Sequence, residues 1–330
     1  MSRKPRIWGG VCPLYGPSQQ TINFELMKEA PDCFEKVDDF SQADICIDYI
    51  IGDPDRPNLV HPKEKDWSEQ LKLRASSDMF SNIYLTLCNI TNTDFYKYVF
   101  QDSLFSYTYI NKNMIPFDAN DEVYFRGPLG VNSGSFYPIK DNGIPLGKAF
   151  MIYAFGMVKE TESIDIIFEA VREASKQTEK PAKMLHTGND LGYDPEHYVF
   201  APFADPRDQR AVPYKYTISY FASALRRDAE KEGGFELANL EAPLTDCRPI
   251  TYNIEPYEHW FKDTSLLVSL DNTKDDLVKI FSDTLAGNYE GYRATVGHRD
   301  AITTNFSWDS VSETFWQEVV KRCKAQNLLS

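Results

Sequence analysis

The chain of 330 residues has none of the short motifs that mark common nucleotide or hydrolytic chemistry. There is no GxxxxGK[ST] loop, no GxGxxG after the first strand-like run, no HExxH and no GxSxG, so kinase, dinucleotide-binding, zinc-hydrolase and esterase readings fall away. The five histidines (His61, His186, His197, His259, His298) lack metal-ligand spacing. The six cysteines lie far apart without a CxxC pair, and Cys46 sits inside an apolar run, which reads as buried, reduced thiols of a cytoplasmic protein. No uninterrupted apolar run reaches the ~18 residues that span a bilayer. The basic start Met1–Arg6 leads straight into a strand-like run, without a signal-peptide core behind it. The expected location is therefore the cytoplasm. With Gly 17 and Pro 19 and no period, a collagen-like chain is excluded too.

What is present is a long, acidic, well-mixed sequence. Its length suits two domains of roughly 150 residues, and 42% hydrophobic with 25% charged residues is the usage of a folded protein. The net charge is -14. Residues 1–150 hold 15 basic and 20 acidic side chains, and the remainder holds 20 and 29. Neither half is a broad cationic surface, so general nucleic-acid binding is disfavoured.

Strand-like and helix-like segments alternate, which predicts α/β layers with parallel sheets. Strands are expected at Arg6–Val11, Ala43–Ile51, Ile83–Leu87 and Ser106–Ile110, with a helix capped by Ser18. Residues 113–148 are rich in Gly, Pro and Asn and read as a linker. The pattern then restarts, with strands at Ala149–Phe155, Lys183–His186, Tyr198–Pro202 and Ile250–Tyr252. Helices are expected at residues 164–176 and 273–286, the second carrying Leu277, Ile280, Phe281 and Leu285 on one stripe and stopped by Gly287. Ser307 caps a last helix with Val311, Phe315, Val319 and Cys323 on one face. The expected domains are 1–148, which includes the linker, 149–305, and 306–330 as a C-terminal helix. In doubly wound sheets ligands lie beyond the carboxyl ends of the strands.

Two carboxylate features carry possible chemistry. Asp53-Pro54-Asp55 follows an apolar run and is either an ordinary turn or a pair of hard oxygen ligands for a divalent ion. The second runs from Arg226-Arg227 through Glu232-Gly233-Gly234-Phe235-Glu236-Leu237 to Glu241. A Gly-Gly turn opens a short helix near Phe235. The backbone amides there suit a diphosphate, and Glu241 suits the two hydroxyls of a ribose. The alternative is a surface acid–base patch around a core helix.

The second half resembles the donor domain of retaining GT-B glycosyltransferases of the glycogen-synthase-like kind, family 4. Glu232-Gly233-Gly234-Phe235-Glu236-Leu237-Ala238-Asn239-Leu240-Glu241-Ala242 resembles that family's EGFGLxxLEA signature, and Pro249-Ile250 the Pro-Val that opens its next strand. Phe155-Gly156 with Asp165 and Glu169-Ala170 resembles its first donor-domain strand, loop and helix. Gly130-Val131-Asn132 with Phe136-Tyr137-Pro138 resembles its interdomain GVD…FxP segment, and Phe306-Ser307-Trp308 its C-terminal FSW. In the N-terminal half, Gly9-Gly10 and Gly16-Pro17-Ser18 resemble the loop that approaches the diphosphate. There are also departures. Glu232 and Glu241 stand nine apart where the family has eight, and Met157 and Glu162 stand where the family has a basic pair.

The resemblance implies two Rossmann-like domains facing across a cleft, with the C-terminal helix crossing back to the N-terminal domain. It implies a metal-independent, retaining transfer from a UDP- or GDP-sugar co-substrate to a sugar-containing or hydroxylated acceptor, with no further cofactor. Glu232 faces the sugar. At the diphosphate, Lys159 from the same loop, or Arg226 and Arg227 from the other side, are the candidates to substitute for the basic pair, beside Gly156 and the amides near Phe235, Glu236 and Leu237. Glu241 holds the ribose, and Gly16 lets the backbone come close beneath the phosphates. The competing readings are a metal-dependent GT-A transferase built on Asp53 and Asp55, a non-catalytic sugar-nucleotide-binding protein, and a phage-type DNA-base glycosyltransferase.

Overall fold

The computed structural model describes residues 3–9, 17–38, 42–50, 81–86, 103–108, 124–137, 150–154, 163–187, 190–201, 218–227 and 235–329. They fall into two compact units. The first holds the chain up to Gly130 and takes it up again from Trp308. The second runs from Val131 to Ser307.

In the first unit, strands β1 (Arg6–Gly9), β2 (Glu35–Lys36), β3 (Ile45–Ile50), β4 (Ser81–Thr86), β5 (Ser103–Thr108) and β6 (Tyr124–Arg126) form one sheet. Their order is β2-β1-β3-β4-β5-β6, and every pairing is parallel. Strands covered on both faces need apolar runs rather than alternation, and Ile45, Cys46 and Ile47 are all fully buried. Strand β6 lies inside the stretch read from sequence as linker. At three residues it is too short for a periodic signal, and Gly127 and Pro128 follow it at once.

Helix α1 (Pro17–Lys28) begins with proline, whose missing N–H costs nothing at a helix start. It packs so closely on β1 that a Cβ at Gly9 would strike the Met27 side chain. The C-terminal helix, numbered α7 below (Trp308–Ala325), is also part of this unit. Its Trp316 Nε1 donates to the Leu26 carbonyl at 2.7 Å. Phe315 meets Tyr107 edge-on at 5.3 Å, and Phe34 lies 5.7 Å from Trp316. The return of the C-terminal helix to the first unit therefore rests on aromatic packing together with hydrogen bonds from Trp316 and Arg322 to the Leu26 and Tyr124 carbonyls.

The second unit repeats the pattern with β7 (Phe150–Ala154), β8 (Ala182–His186), β9 (Tyr198–Phe200), β10 (Phe221–Ser223), β11 (Arg248–Tyr252) and β12 (Leu266–Val268). All pairings are parallel, in the order β12-β11-β10-β7-β8-β9. Helices α2 (Ile164–Thr178), α3 (Ala238–Leu244), α4 (Tyr257–Phe261), α5 (Thr273–Ala286) and α6 (Val296–Phe306) accompany it. Helix α2 buries Ile167, Phe168, Val171 and Ala174, and α5 buries Leu277, Ile280, Phe281 and Leu285. Each large side chain so buried contributes about 1.5–3 kcal/mol. Gly287 ends α5 with φ 103, a left-handed conformation that favours glycine.

The chain leaves the first unit at Gly130–Val131 and re-enters it at Ser307–Trp308, and the two passages are tied side by side. Val131 pairs with Ser307 in a parallel bridge, and its N–H donates to the Phe306 carbonyl at 2.8 Å. Beside them a Cβ at Gly130 would lie 2.5 Å from the Trp308 indole. Gly130→Ala is therefore expected to cost about 1–3 kcal/mol by overpacking, seen as a lower urea midpoint. Trp308→Leu in the same chain should reduce that cost, because the two substitutions share one contact.

Candidate active site at the strand reversal of the second sheet

From β7 the chain winds outward through β8 and β9, then returns to β10 on the other side and continues to β11 and β12. The winding reverses between β7 and β10. In such sheets the reversal opens a crevice beyond the carboxyl ends of the two strands, here after Ala154 and Ser223.

The candidate residues that are described cluster in the connection leaving β10. Arg226, half-buried, and Arg227, exposed, stand just beyond the strand end. The connection returns at Phe235, which is 7% exposed and lies 4.9 Å from the Phe261 ring and 6.2 Å from that of Trp260. Its side chain anchors the loop in the core between α3 and α4. Glu236 is buried and Leu237 half-buried. The sequence suggests a helix starting near Phe235. The α-helix starts at Ala238 because Phe235 and its neighbours are held by that core, and the lead-in makes tighter bonds, with the Asn239 N–H to the Glu236 carbonyl and the Leu240 N–H to the Leu237 carbonyl.

Helix α3 buries Ala238, Asn239, Leu240, Ala242, Pro243 and Leu244, leaving Glu241 as its one side chain that is not buried. Ala238 and Ala242 sit against Ala222, Ala224 and Cys247. Small residues on both sides bring the helix close to the sheet. Gly16, Gly156, Lys159, Glu232 and the pair Asp53 and Asp55 lie outside the described residues.

Three groups that sequence reasoning did not assign also stand at this edge. Ser163 precedes α2 in a left-handed conformation (φ 55). Its side chain does not cap the helix but meets the Tyr252 hydroxyl at 2.6 Å, tying the start of α2 to the end of β11. Ser223 ends β10, 2% exposed, and its hydroxyl has no hydrogen-bond partner among the described residues. A serine just before an amphipathic helix is a sequence signal for Ser163; nothing in the sequence marks its partner 89 positions away.

Two acids of the resemblance are already engaged. Asp165 accepts from the Tyr193 hydroxyl, and Glu169 pairs with Arg172 at 2.9 Å. Burial, and after it the bond to Asp165, hold the Tyr193 phenol well above its usual range. Among the described residues no group of three His, Cys, Asp or Glu side chains is placed to hold a metal ion, and no helix is long and apolar enough to cross a membrane.

No protein-family model matches the sequence, and no curated protein matches it at the sequence level. Solved structures do match. Sucrose-phosphate synthase from Thermosynechococcus elongatus superposes with a TM-score of 0.66 at 12% identity, over 98% of this chain and 100% of that one. A glycosyltransferase from Rickettsia africae gives 0.58 at 14% identity, over 97% and 100%. The pneumococcal O-GlcNAc transferase GtfA, solved with UDP and GlcNAc, gives 0.54 at 13% identity, over 94% of this chain and 61% of that one. The chain thus has the GT-B fold of these glycosyltransferases.

If Phe235 anchors the loop as its packing indicates, Phe235→Ala should lower stability by about 3–5 kcal/mol, measured by chemical unfolding. Phe235→Leu should recover much of that.

Proposed function

We propose that the protein is a glycosyltransferase that moves a sugar from a nucleotide-sugar donor to a hydroxyl acceptor, with retention of anomeric configuration and without a metal ion. One observation carries the reading. At the strand reversal of the second sheet, Glu241 is the only side chain of α3 left unburied, and Arg226 and Arg227 leave the same connection. A carboxylate and two guanidiniums carried by this connection have the chemistry to bind the ribose and the diphosphate of a nucleoside diphosphate. The UDP bound to the pneumococcal enzyme of the same fold supports this ligand class.

In this reading Glu241 accepts from the ribose hydroxyls, while Arg226, Arg227 and Lys159 stabilise the diphosphate as it departs. Such preorganised electrostatics are usually the largest contribution to catalysis. The amides near Glu236 and Leu237 add donors, and Gly156 and Gly16 give the backbone close approach. Glu232 orients the sugar and supports positive charge at the anomeric carbon. The GT-B fold favours this reading over a GT-A transferase built on Asp53 and Asp55. A non-catalytic sugar-nucleotide-binding protein is the second reading, motivated by Met157 and Glu162 at the places of the basic pair.

Glu241→Gln should weaken UDP or GDP binding by roughly ten- to a hundredfold, as losing a charged acceptor costs about 1.5–3 kcal/mol. Glu232→Gln should leave nucleoside-diphosphate binding nearly intact while turnover falls. Calorimetry paired with a transfer assay reads both. Equal loss of binding in the two variants would overturn the roles, and tight binding without any turnover across donors and acceptors would select the second reading. EDTA should leave transfer unchanged, and an NMR spectrum of fresh product should show the donor's anomeric configuration.

A further inference from the structure

At the opposite, amino end of β11 stands an arginine that has no counter-ion among the described residues. Arg248 opens the strand and is 8% exposed. No carboxylate faces its guanidinium among the described residues, and its buried Nε has no hydrogen-bond partner there. Among the described residues its guanidinium is within hydrogen-bond reach of the His298 ring alone, through Nη1. Arginine is rarely this buried without a partner, and an uncompensated buried charge is strongly destabilising. Burial alone lowers its pKa to about 10. An unsatisfied buried donor of this kind calls for an explanation, such as a bound ion.

The surroundings supply the rest of an anion site. His298 is the third residue of α6, an eleven-residue helix whose N-terminus therefore lies at this guanidinium. Thr295 caps the helix. The His298 N–H donates to its Oγ1 at 3.4 Å, and the Thr295 N–H donates to the His298 Nδ1 at 3.0 Å. An Nδ1 that accepts belongs to a neutral imidazole, and His298 is indeed held below its usual pKa, first by burial and then by the Arg248 charge. The capping leaves the amides of Val296 and Gly297 without partners among the described residues, with open space around Val296, which is 65% exposed. The next residue, Arg299, has a buried Nε that is likewise unpartnered and pairs with Asp246, which follows α3. Of the two guanidiniums at this helix start, that of Arg299 is paired with one carboxylate, Asp246, and that of Arg248 with none among the described residues.

We propose that Arg248, Arg299 and the first-turn amides of α6 form a binding site for a phosphate dianion, free or as a small phosphate monoester. A helix N-terminus offers outward N–H groups and a favourable dipole to such an anion, and arginine matches phosphate with paired donors. The site lies about 13 Å along β11 from the strand end that borders the donor crevice, at ~3.3 Å per residue. It is therefore separate from the donor's diphosphate, and stands at the far end of α3, whose other end leads from Glu236 and Leu237.

The test is thermal unfolding and calorimetry of the full chain with inorganic phosphate in the low millimolar range, at constant ionic strength, with glycerol 3-phosphate in a parallel arm. The wild-type chain should bind one phosphate and gain roughly 2–4 °C in Tm at saturation. A larger gain with the ester identifies a phosphorylated small molecule as the ligand; equal gains identify free phosphate. Arg248→Met should abolish the response and, without phosphate, be at least as stable as wild type, since it removes an unpaired buried charge. Arg299→Gln should weaken the response, whereas Arg226→Gln with Arg227→Gln should retain it. A wild-type chain indifferent to both anions, a response lost only in the Arg226/Arg227 variant, or an Arg248→Met chain that is markedly less stable without phosphate would overturn the proposal; the last would mean that Arg248 already has a carboxylate of this chain as its partner.

Discussion

The parallel pairing of β10 with β7 is the contact on which the rest of the second unit depends. Ile152, Tyr153 and Ala154 face Phe221, Ala222 and Ser223 in register. This one ladder joins the half of the sheet that winds outward through β8 and β9 to the half that winds through β11 and β12. It therefore makes the reversal, and with it the crevice. A parallel pair cannot be closed by a tight turn, so every strand delivers a loop at the same, carboxyl edge of the sheet. That is why Arg226, Arg227 and the start of α3 gather at one edge, although the sequence holds no phosphate-binding glycine motif there.

Small residues decide how closely α3 approaches that sheet. Ala222, Ala224, Ala238 and Ala242 leave little between α3 and the sheet, and Phe235 pins the connection between them from the side of Phe261 and Trp260. Such a helix has only one face to offer, and on it stands Glu241. The same economy operates between the two chain passages. There glycine at position 130 makes room for Trp308, and the backbone of Val131 bonds that of Phe306.

Much of this was legible in the sequence where apolar residues repeat. Helix α5 falls on residues 273–286 as its stripe of Leu277, Ile280, Phe281 and Leu285 predicts, and β3 follows from Ile45-Cys46-Ile47. The alternating order of elements was sufficient for two Rossmann-like sheets. The strand that matters most, β10, was not legible. Phe-Ala-Ser is too short and too small to stand out, and it is buried by its neighbours rather than by its own pattern. Helix α6 escaped for a related reason, since it buries only Ile302 and Phe306. In the candidate site, Glu241 and the arginine pair could be found by spacing and charge. Ser163 with Tyr252, and Arg248 with His298, could not, because each pair is brought together from distant parts of the chain by the sheet.

The central claim is that a nucleoside diphosphate lies at the carboxyl ends of β7 and β10. Photoaffinity labelling tests it most directly. An azido-substituted uridine or guanosine diphosphate is irradiated with the full chain, and the labelled peptides are mapped by mass spectrometry. The account predicts labelling that excess unmodified UDP or GDP suppresses, confined in the second unit to the segments that follow β7, β8, β9 and β10 or lead into α2 and α3. Competable labelling of that unit only at the amino ends of the strands, or no competable labelling with either nucleotide, would contradict it.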